Sequence, residues 1–228
     1  MIHQWDQLTF LHWSYDPDLV QALLPPGLVV DTFDGKAWVG LVPFMMEVRA
    51  PKGPKIPWLS RFCETNVRTY ATAPDGTRGV WFLSLDAARL LAVTTAHVSH
   101  SLPYYWSEMS YGREEEVVTY DTRRRWPGAG RPTSHVRIRV GDQFASSELS
   151  EFDHYLTALW SMHTYRRRSL HNTSANHAPW DLHRVELLEL HDELVAASGL
   201  PQPTGDPICH WSPGVEVRIG YPHKTRPT

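Results

Sequence analysis

Three polar residues, Glu64, Asn66 and Arg68, recur at every second position of one extended stretch. Period-two geometry puts all three on one face of a strand. Such a face has two readings. It meets water, or it lines an interior in which a carboxylate and a guanidinium pair and Arg68 grips a ligand carboxylate bidentately. The run Val80-Trp81-Phe82-Leu83-Ser84-Leu85, apolar on both faces, favours an interior location for its neighbour. A second constellation is His97 and His100, one helical turn apart. That spacing suits two zinc ligands, but no third or fourth ligand is signalled nearby, so no metal is expected; the alternative is a hydrogen-bonded histidine at a pocket edge. A third is Leu102-Pro103-Tyr104-Tyr105-Trp106, whose phenols are donors or weak acids for a cavity, or core aromatics with satisfied hydroxyls. The short runs Arg123-Arg124-Arg125 and Arg166-Arg167-Arg168 read as solvated strand ends. No P-loop, dinucleotide fingerprint, nucleophile elbow or paired CxxC occurs, and isolated Cys63 shows no sign of activation.

These residues need many short elements to position them. The spread of 18 Pro and 14 Gly as punctuation fits that expectation. Asp16 reads as the N-cap and Pro17 as the first residue of a short helix, stopped by Pro25-Pro26-Gly27. Residues 28–32 and 37–49 read as strands around the turn Asp34-Gly35. Residues 62–72 and 79–85 form a hairpin about Asp75-Gly76. Asp86 reads as the cap of a helix over 87–101, which carries both histidines and ends at Leu102-Pro103. Strands follow at 104–111, 115–122, 135–140 and 160–168, with a short helix at 150–158. Residues 183–190 are ambiguous between strand and helix. A helix over 193–198 is closed by Gly199, and a last strand over 209–219 is interrupted at Pro213-Gly214. The pattern is α+β, with many antiparallel strands forming a large sheet or barrel.

Composition narrows the classes. A chain of 228 residues with 42% hydrophobic and 21% charged residues can bury a core without disulfides, and reads as one domain over 1–228. The net charge of -3 argues against nucleic acid as a partner. Two cysteines and no signal peptide point to the cytoplasm, and no stretch is long and apolar enough to expect a membrane partner. Only four lysines, Lys36, Lys52, Lys55 and Lys224, stand against 18 arginines, which limits amine chemistry.

Several motifs in order resemble a known family. They are His12-Trp13 with Leu24-Pro25-Pro26-Gly27-Leu28, Asp34-Gly35-Lys36-Ala37-Trp38-Val39-Gly40 and Glu64-Thr65-Asn66-Val67-Arg68-Thr69-Tyr70. Gly79 to Ala87, Leu102-Pro103-Tyr104, His177-Ala178-Pro179-Trp180 and Ser212-Pro213-Gly214-Val215-Glu216-Val217 complete the set. Together they resemble the bacterial YqjF-like family of unknown function, a branch of the acetoacetate decarboxylase-like superfamily. The resemblance implies a cone-shaped antiparallel β-barrel with a few short helices and an internal small-molecule cavity. In the decarboxylases a lysine just after a turn forms a Schiff base with a β-keto acid. The matching turn, Ser101-Leu102-Pro103, is followed here by Tyr104 and Tyr105, and a phenol cannot form an imine. The decarboxylase glutamate matches Glu64, and an arginine common upstream of the turn appears here as His97, which titrates near neutrality.

The leading expectation is a barrel that binds a small anionic or carbonyl-bearing metabolite without a cofactor. Either Glu64 or His97 is the candidate acid/base and Tyr104 the donor to a developing oxyanion, with Arg68, Asn66, His12 and Tyr105 as substrate-binding residues. Lyase or proton-transfer chemistry suits these groups; Schiff-base decarboxylation does not. A second reading is a non-catalytic binding or sensor module using the same cavity. A third is an interaction protein using sheet edges or the arginine runs. A homo-oligomer stays open, because the decarboxylases assemble.

Overall fold

A computed structural model describes residues 1–49, 61–89, 102–128 and 130–225. Fourteen strands in these residues belong to one sheet. They are β1 (Ile2–Tyr15), β2 (Val29–Val30), β3 (Thr32–Phe33), β4 (Lys36–Arg49), β5 (Arg61–Thr72), β6 (Arg78–Ala87) and β7 (Tyr104–Glu114). The remainder are β8 (Val117–Trp126), β9 (Thr133–Gln143), β10 (Ser161–Arg166), β11 (Ser169–Asn176), β12 (His183–Asp192), β13 (Ile208–Ile219) and β14 (His223–Lys224). Three short helices accompany them: α1 (Pro17–Gln21), α2 (Glu151–Thr157) and α3 (Leu194–Ala197).

The order across the sheet is β14-β11-β10-β6-β7-β8-β9-β12-β13-β1-β4-β5-β2, with β3 on β4. β6 also pairs with β5, so the path that leaves β6 through β7 returns to it through β5. Most pairings are antiparallel, as expected, but β6 runs parallel to both β7 and β10.

The long strand β1 escaped the sequence reading. Its two faces pack into different cores, so apolar and polar residues do not alternate along it. Leu11 and Trp13 join Val39, Leu41 and Val67 against Val118, Tyr120, Val136, Ile138 and the α3 residues Leu194 and Val195. Leu8 and Phe10 face the other way, with Val42, Phe44, Phe62, Ala87, Trp180 and Val217. The three-strand unit β1-β4-β5 is thus buried on both sides.

Local signals were obeyed where a specific side chain supplied them. The Asp16 side chain accepts from the Asp18 backbone N–H to cap α1, with Pro17 as its first residue. Ser150 and Asp153 form a reciprocal capping box on α2. The Asp34-Gly35 turn has both residues in the left-handed region and joins β3 to β4. The stretch before it divides, because β2 pairs with β5 and only β3 continues the hairpin. The ambiguous segment is strand β12, paired with β9. The interruption expected at Pro213-Gly214 does not occur: β13 runs through it in unbroken register with β1, and Gly214 is required because a Cβ there would sit 2.2 Å from the Trp5 carbonyl oxygen.

Three expectations fail. Asp86 caps no helix; it lies inside β6, fully buried, and the strand runs on to Ala87. Ala88 and Arg89 are not helical, and the rest of the expected helix, including His97 and His100, lies outside the described residues. The strand expected over 160–168 ends at Arg166, and Arg167 and Arg168 form the two-residue turn into the unforeseen β11, with φ of 49° and 62°. The first arginine run is not a solvated strand end either: Arg124 is only 4% exposed.

Candidate functional site

β5 supplies the backbone of the site. It pairs with β4 from Val39 opposite Thr69 to Glu47 opposite Arg61 without a slip, so its even positions keep one direction along the whole strand. Glu64, Asn66 and Arg68 are 3%, 5% and 7% exposed. They share a face with Phe62, which packs into the core containing Phe10, Val42, Phe44 and Ala87. The water-facing reading of this face is therefore overturned. The expected pairing of Glu64 with Arg68 is also absent: the groups acting on Glu64 are Tyr104 and Asp86. Four residues of extended strand put their Cα atoms about 13 Å apart, and each side chain has its own surroundings.

At the Arg68 end, His12 on β1 and Arg68 on β5 lie on either side of Gly40 on β4. Gly40 is glycine for a reason of space. A Cβ there would lie 2.8 Å from His12 Nε2 and 3.7 Å from Arg68 Cγ. His12 Nε2 lies 2.6 Å from the Tyr70 hydroxyl, which donates to the Leu156 carbonyl oxygen at 2.6 Å. The phenol has one proton and has given it to Leu156. His12 must therefore carry its proton on Nε2 and present a bare Nδ1, which has no partner. Burial, with the Arg68 and His210 charges, holds the His12 pKa well below its ordinary value, so the ring is neutral. The Arg68 guanidinium lies 5.4 Å from the Phe10 ring centroid and 5.9 Å from that of Tyr70, and its Nε–H has no partner. Among the described residues Arg68 forms no ion pair.

Gly40→Ala is expected to push the His12 ring off the Tyr70 hydroxyl. Urea melts should show about 1–3 kcal/mol of lost stability, the usual cost of overpacking a buried position.

At the other end the Tyr104 hydroxyl donates to Glu64 Oε2 at 3.2 Å. Tyr104 starts β7 opposite Leu85, which puts it on the Glu64 side of the sheet. Burial pushes the Glu64 carboxyl up to about 8, only partly opposed by the Tyr104 hydrogen bond. Burial and the neighbouring Glu64 also push the Tyr104 phenol well above its ordinary value. Glu64 is therefore mainly a neutral acid at pH 7, able to release a proton near neutrality. Its folded-state pKa exceeds the unfolded value of 4.5. The folded protein thus holds a proton that the unfolded chain releases above about pH 4.5, and stability falls as pH rises from there to about 8. The slope contributed by this group approaches 1.4 kcal/mol per pH unit at most, about one proton. Urea melts between pH 5 and pH 8 should show wild type losing more stability than Glu64→Gln.

Tyr105 does not join this site. It sits opposite Asp86 on the reverse face, 3.5 Å from the Arg124 guanidinium carbon to its ring centroid. There Arg124 Nε and Nη2 grip Asp86 at 2.9 and 2.7 Å, and the Ser107 hydroxyl donates to Asp86 at 2.7 Å. That cluster is closed and fully paired. Sequence reading missed Tyr70, although it is the next even position on the same strand as Arg68. It missed His210 entirely, because His210 reaches the site on β13; its Nε2 is 2.9 Å from Asp153.

Three cavities lie against other described residues. One of about 430 Å3 is bordered by Leu24, Trp81, Leu83, Pro103 and Tyr165, and one of about 990 Å3 by Arg89, Trp106, Met109, Arg125, Trp126 and Arg131. A third, of about 470 Å3, lies beside Arg113, His183 and Trp211. Among the described residues no three His, Cys, Asp or Glu side chains are grouped to hold a metal, and no helix is long and apolar enough to cross a membrane. Lys36 and Lys224 are exposed, away from Glu64 and Arg68; Lys52 and Lys55 lie outside the described residues.

Comparison with known proteins fits this sheet. Residues 3–216 match the DUF2071 family, described as an uncharacterized conserved protein. The chain is 31% identical over 218 residues to the uncharacterized protein YqjF of Bacillus subtilis, covering 95% of this chain and 89% of that one. The chain belongs to the YqjF-like DUF2071 family. Solved structures show what fold the family has. An acetoacetate decarboxylase-like enzyme from Sphingomonas wittichii superposes with a TM-score of 0.68 at 13% identity, covering 99% of this chain and 92% of that one. The enduracididine biosynthesis enzyme MppR, complexed with pyruvate, gives 0.68 at 12% identity over 99% and 90% of the two chains. Acetoacetate decarboxylase from Legionella pneumophila gives 0.66 at 13% identity, over 99% and 88%. The YqjF-like chain thus has a large, mostly antiparallel sheet of the acetoacetate decarboxylase-like kind. The Leu102-Pro103-Tyr104 segment places a phenol on Glu64.

Proposed function

We propose that the even-numbered face of β5 lines the cavity of a cone-shaped barrel, and that this cavity binds a small carboxylate- or carbonyl-bearing metabolite. The return of the strand path to β6 supports closure of the barrel. The observation that carries the ligand class is Arg68. A guanidinium cannot shed its charge, and burying it is costly unless an anion meets it. Arg68 is 7% exposed, has no ion-pair partner among the described residues and leaves its Nε–H unused. A ligand carboxylate satisfies all three conditions. Neutral His12, with its bare Nδ1, adds an acceptor beside it without competing for the anion.

In this reading Arg68 anchors the carboxylate, while Glu64 with Tyr104 faces the reacting end. Neutral Glu64 hands a proton to a developing enolate or carbanion, and the Tyr104 hydroxyl steadies the carboxylate that remains. Proton transfer next to a carbonyl needs no cofactor. Schiff-base chemistry would need an amine where this chain has Tyr104. That same substitution favours the second reading, a binding or sensor module that uses Arg68 and performs no turnover. The cysteines Cys63 and Cys209, both unpaired, fit a reducing compartment, and we place the protein in the cytoplasm.

Titration calorimetry with carboxylates of graded length tests this function. At least one should bind wild type and lose affinity to Arg68→Met; equal binding to both proteins would overturn it. Product analysis of the bound acid by mass spectrometry then separates enzyme from sensor.

A further inference from the structure

Trp106 on β7 and Trp126 on β8 stand directly opposite each other, so both side chains leave the same face of the sheet. They are 38% and 49% exposed, although indoles are usually well buried. Beside them the β7–β8 register slips, since Trp106 faces Trp126 while Ser107 faces Arg124. The extra residue is Arg125. This bulge divides the arginine run: Arg124 goes to Asp86, and Arg125 goes to the cavity of about 990 Å3 that both tryptophans border. Arg89 and Arg131 border it too. Glu108 is the only carboxylate among the described residues that line it, and Glu108 is paired with Arg125. Arg89 and Arg131 have no ion-pair partner among the described residues, and the Arg89 Nε–H is without a hydrogen bond.

We propose that this cavity is a binding site for a small planar aromatic anion, its ring against Trp106 and Trp126 and its anionic group at Arg89 and Arg131. Exposed indoles offer apolar faces on which a flat ring stacks. Arg125 is already neutralised by Glu108, so two positive charges remain for the ligand, and a guanidinium suits phosphate and carboxylate oxygens alike. The volume lies at the upper end of the range of about 300–1,000 Å3 for small-molecule pockets, enough for a base, a sugar and a phosphate. A nucleoside monophosphate, with about two negative charges at pH 7, matches ring, charge and size together. Glu64, Tyr104 and Arg68 do not border the cavity, so this site is independent of the function proposed above.

The test is calorimetric titration of the full chain with adenosine monophosphate, adenosine, inorganic phosphate and indole-3-acetate. Adenosine monophosphate should bind at least about 10-fold more tightly than adenosine or inorganic phosphate, each of which offers only part of the contacts. Trp106→Ala should weaken it about 5- to 100-fold, the worth of one stacked ring. Arg131→Glu changes an exposed side chain and leaves the core untouched, so it tests the site even if the tryptophan variant does not fold. It should weaken binding at least about 10-fold. Arg68→Met should bind adenosine monophosphate as wild type does. If indole-3-acetate binds more tightly than adenosine monophosphate and Arg131→Glu weakens it, the aromatic-anion site stands and its ligand is a carboxylate. The proposal is overturned if neither anion binds, if adenosine binds as tightly as its monophosphate, if Arg131→Glu binds as wild type does, or if Arg68→Met abolishes binding.

Discussion

Asp86→Ala should lower the stability of this protein by about 3–5 kcal/mol, the largest effect expected of any single substitution here. At this chain length that corresponds to a drop of about 10 °C in melting temperature. Asp86 is fully buried and Arg124 is 4% exposed. Two hydrogen bonds join them in a fork, the Ser107 hydroxyl occupies a further acceptor position, and the Tyr105 ring covers the guanidinium. Removing the carboxylate strands a buried cation that cannot deprotonate. The damage thus comes more from the charge left behind than from the absence of the hydrogen bonds themselves. The double variant Asp86→Leu with Arg124→Leu should recover a large part of the stability. Urea melts of the three variants decide it: a double variant as unstable as the single one would show that packing, not the stranded charge, sets the cost.

Arg68→Met should behave in the opposite sense. It removes a guanidinium that has already been taken out of water without an ion-pair partner among the described residues. The free protein should therefore lose no stability and gain up to about 1 kcal/mol, after the contacts with Phe10 and Tyr70 are forfeited. Carboxylate affinity should fall about 10- to 100-fold, the worth of a charge-assisted hydrogen-bonded contact. The two arginines are buried to nearly the same degree, and a structural arginine and a ligand-holding one are told apart by these signs. A residue kept at a cost to stability is one retained for function.

Much of the site was legible because period-two spacing is unaffected by what covers a strand. Glu64, Asn66 and Arg68 share a face as the sequence predicts, and the apolar neighbour β6 correctly pointed to an interior. Tyr104 stood out as one of two phenols after Leu102-Pro103 and does meet Glu64. Other features depend on contacts that no local pattern encodes. Tyr104 and Tyr105 are adjacent in sequence, so on a strand they must face opposite ways, and only Tyr104 can reach Glu64. Reading Asp86 as a helix cap followed the general preference of aspartate for that position, but Arg124 claims it from 38 residues away. β1 was hidden because its two faces serve two cores, and the Arg167-Arg168 turn because turns of that shape normally carry Asn or Gly. His12 was marked as a binding residue; its protonated nitrogen follows only from the Tyr70 bond to the Leu156 carbonyl.

The most direct measurement is a crystal of the wild-type protein soaked in bromide, with anomalous scattering used to place the halide. A bromide ion against the Arg68 guanidinium, and none there in Arg68→Met crystals, is the expected result. A guanidinium paired with a carboxylate of the protein itself, with no halide beside it, would contradict the assignment of Arg68 as the anion anchor.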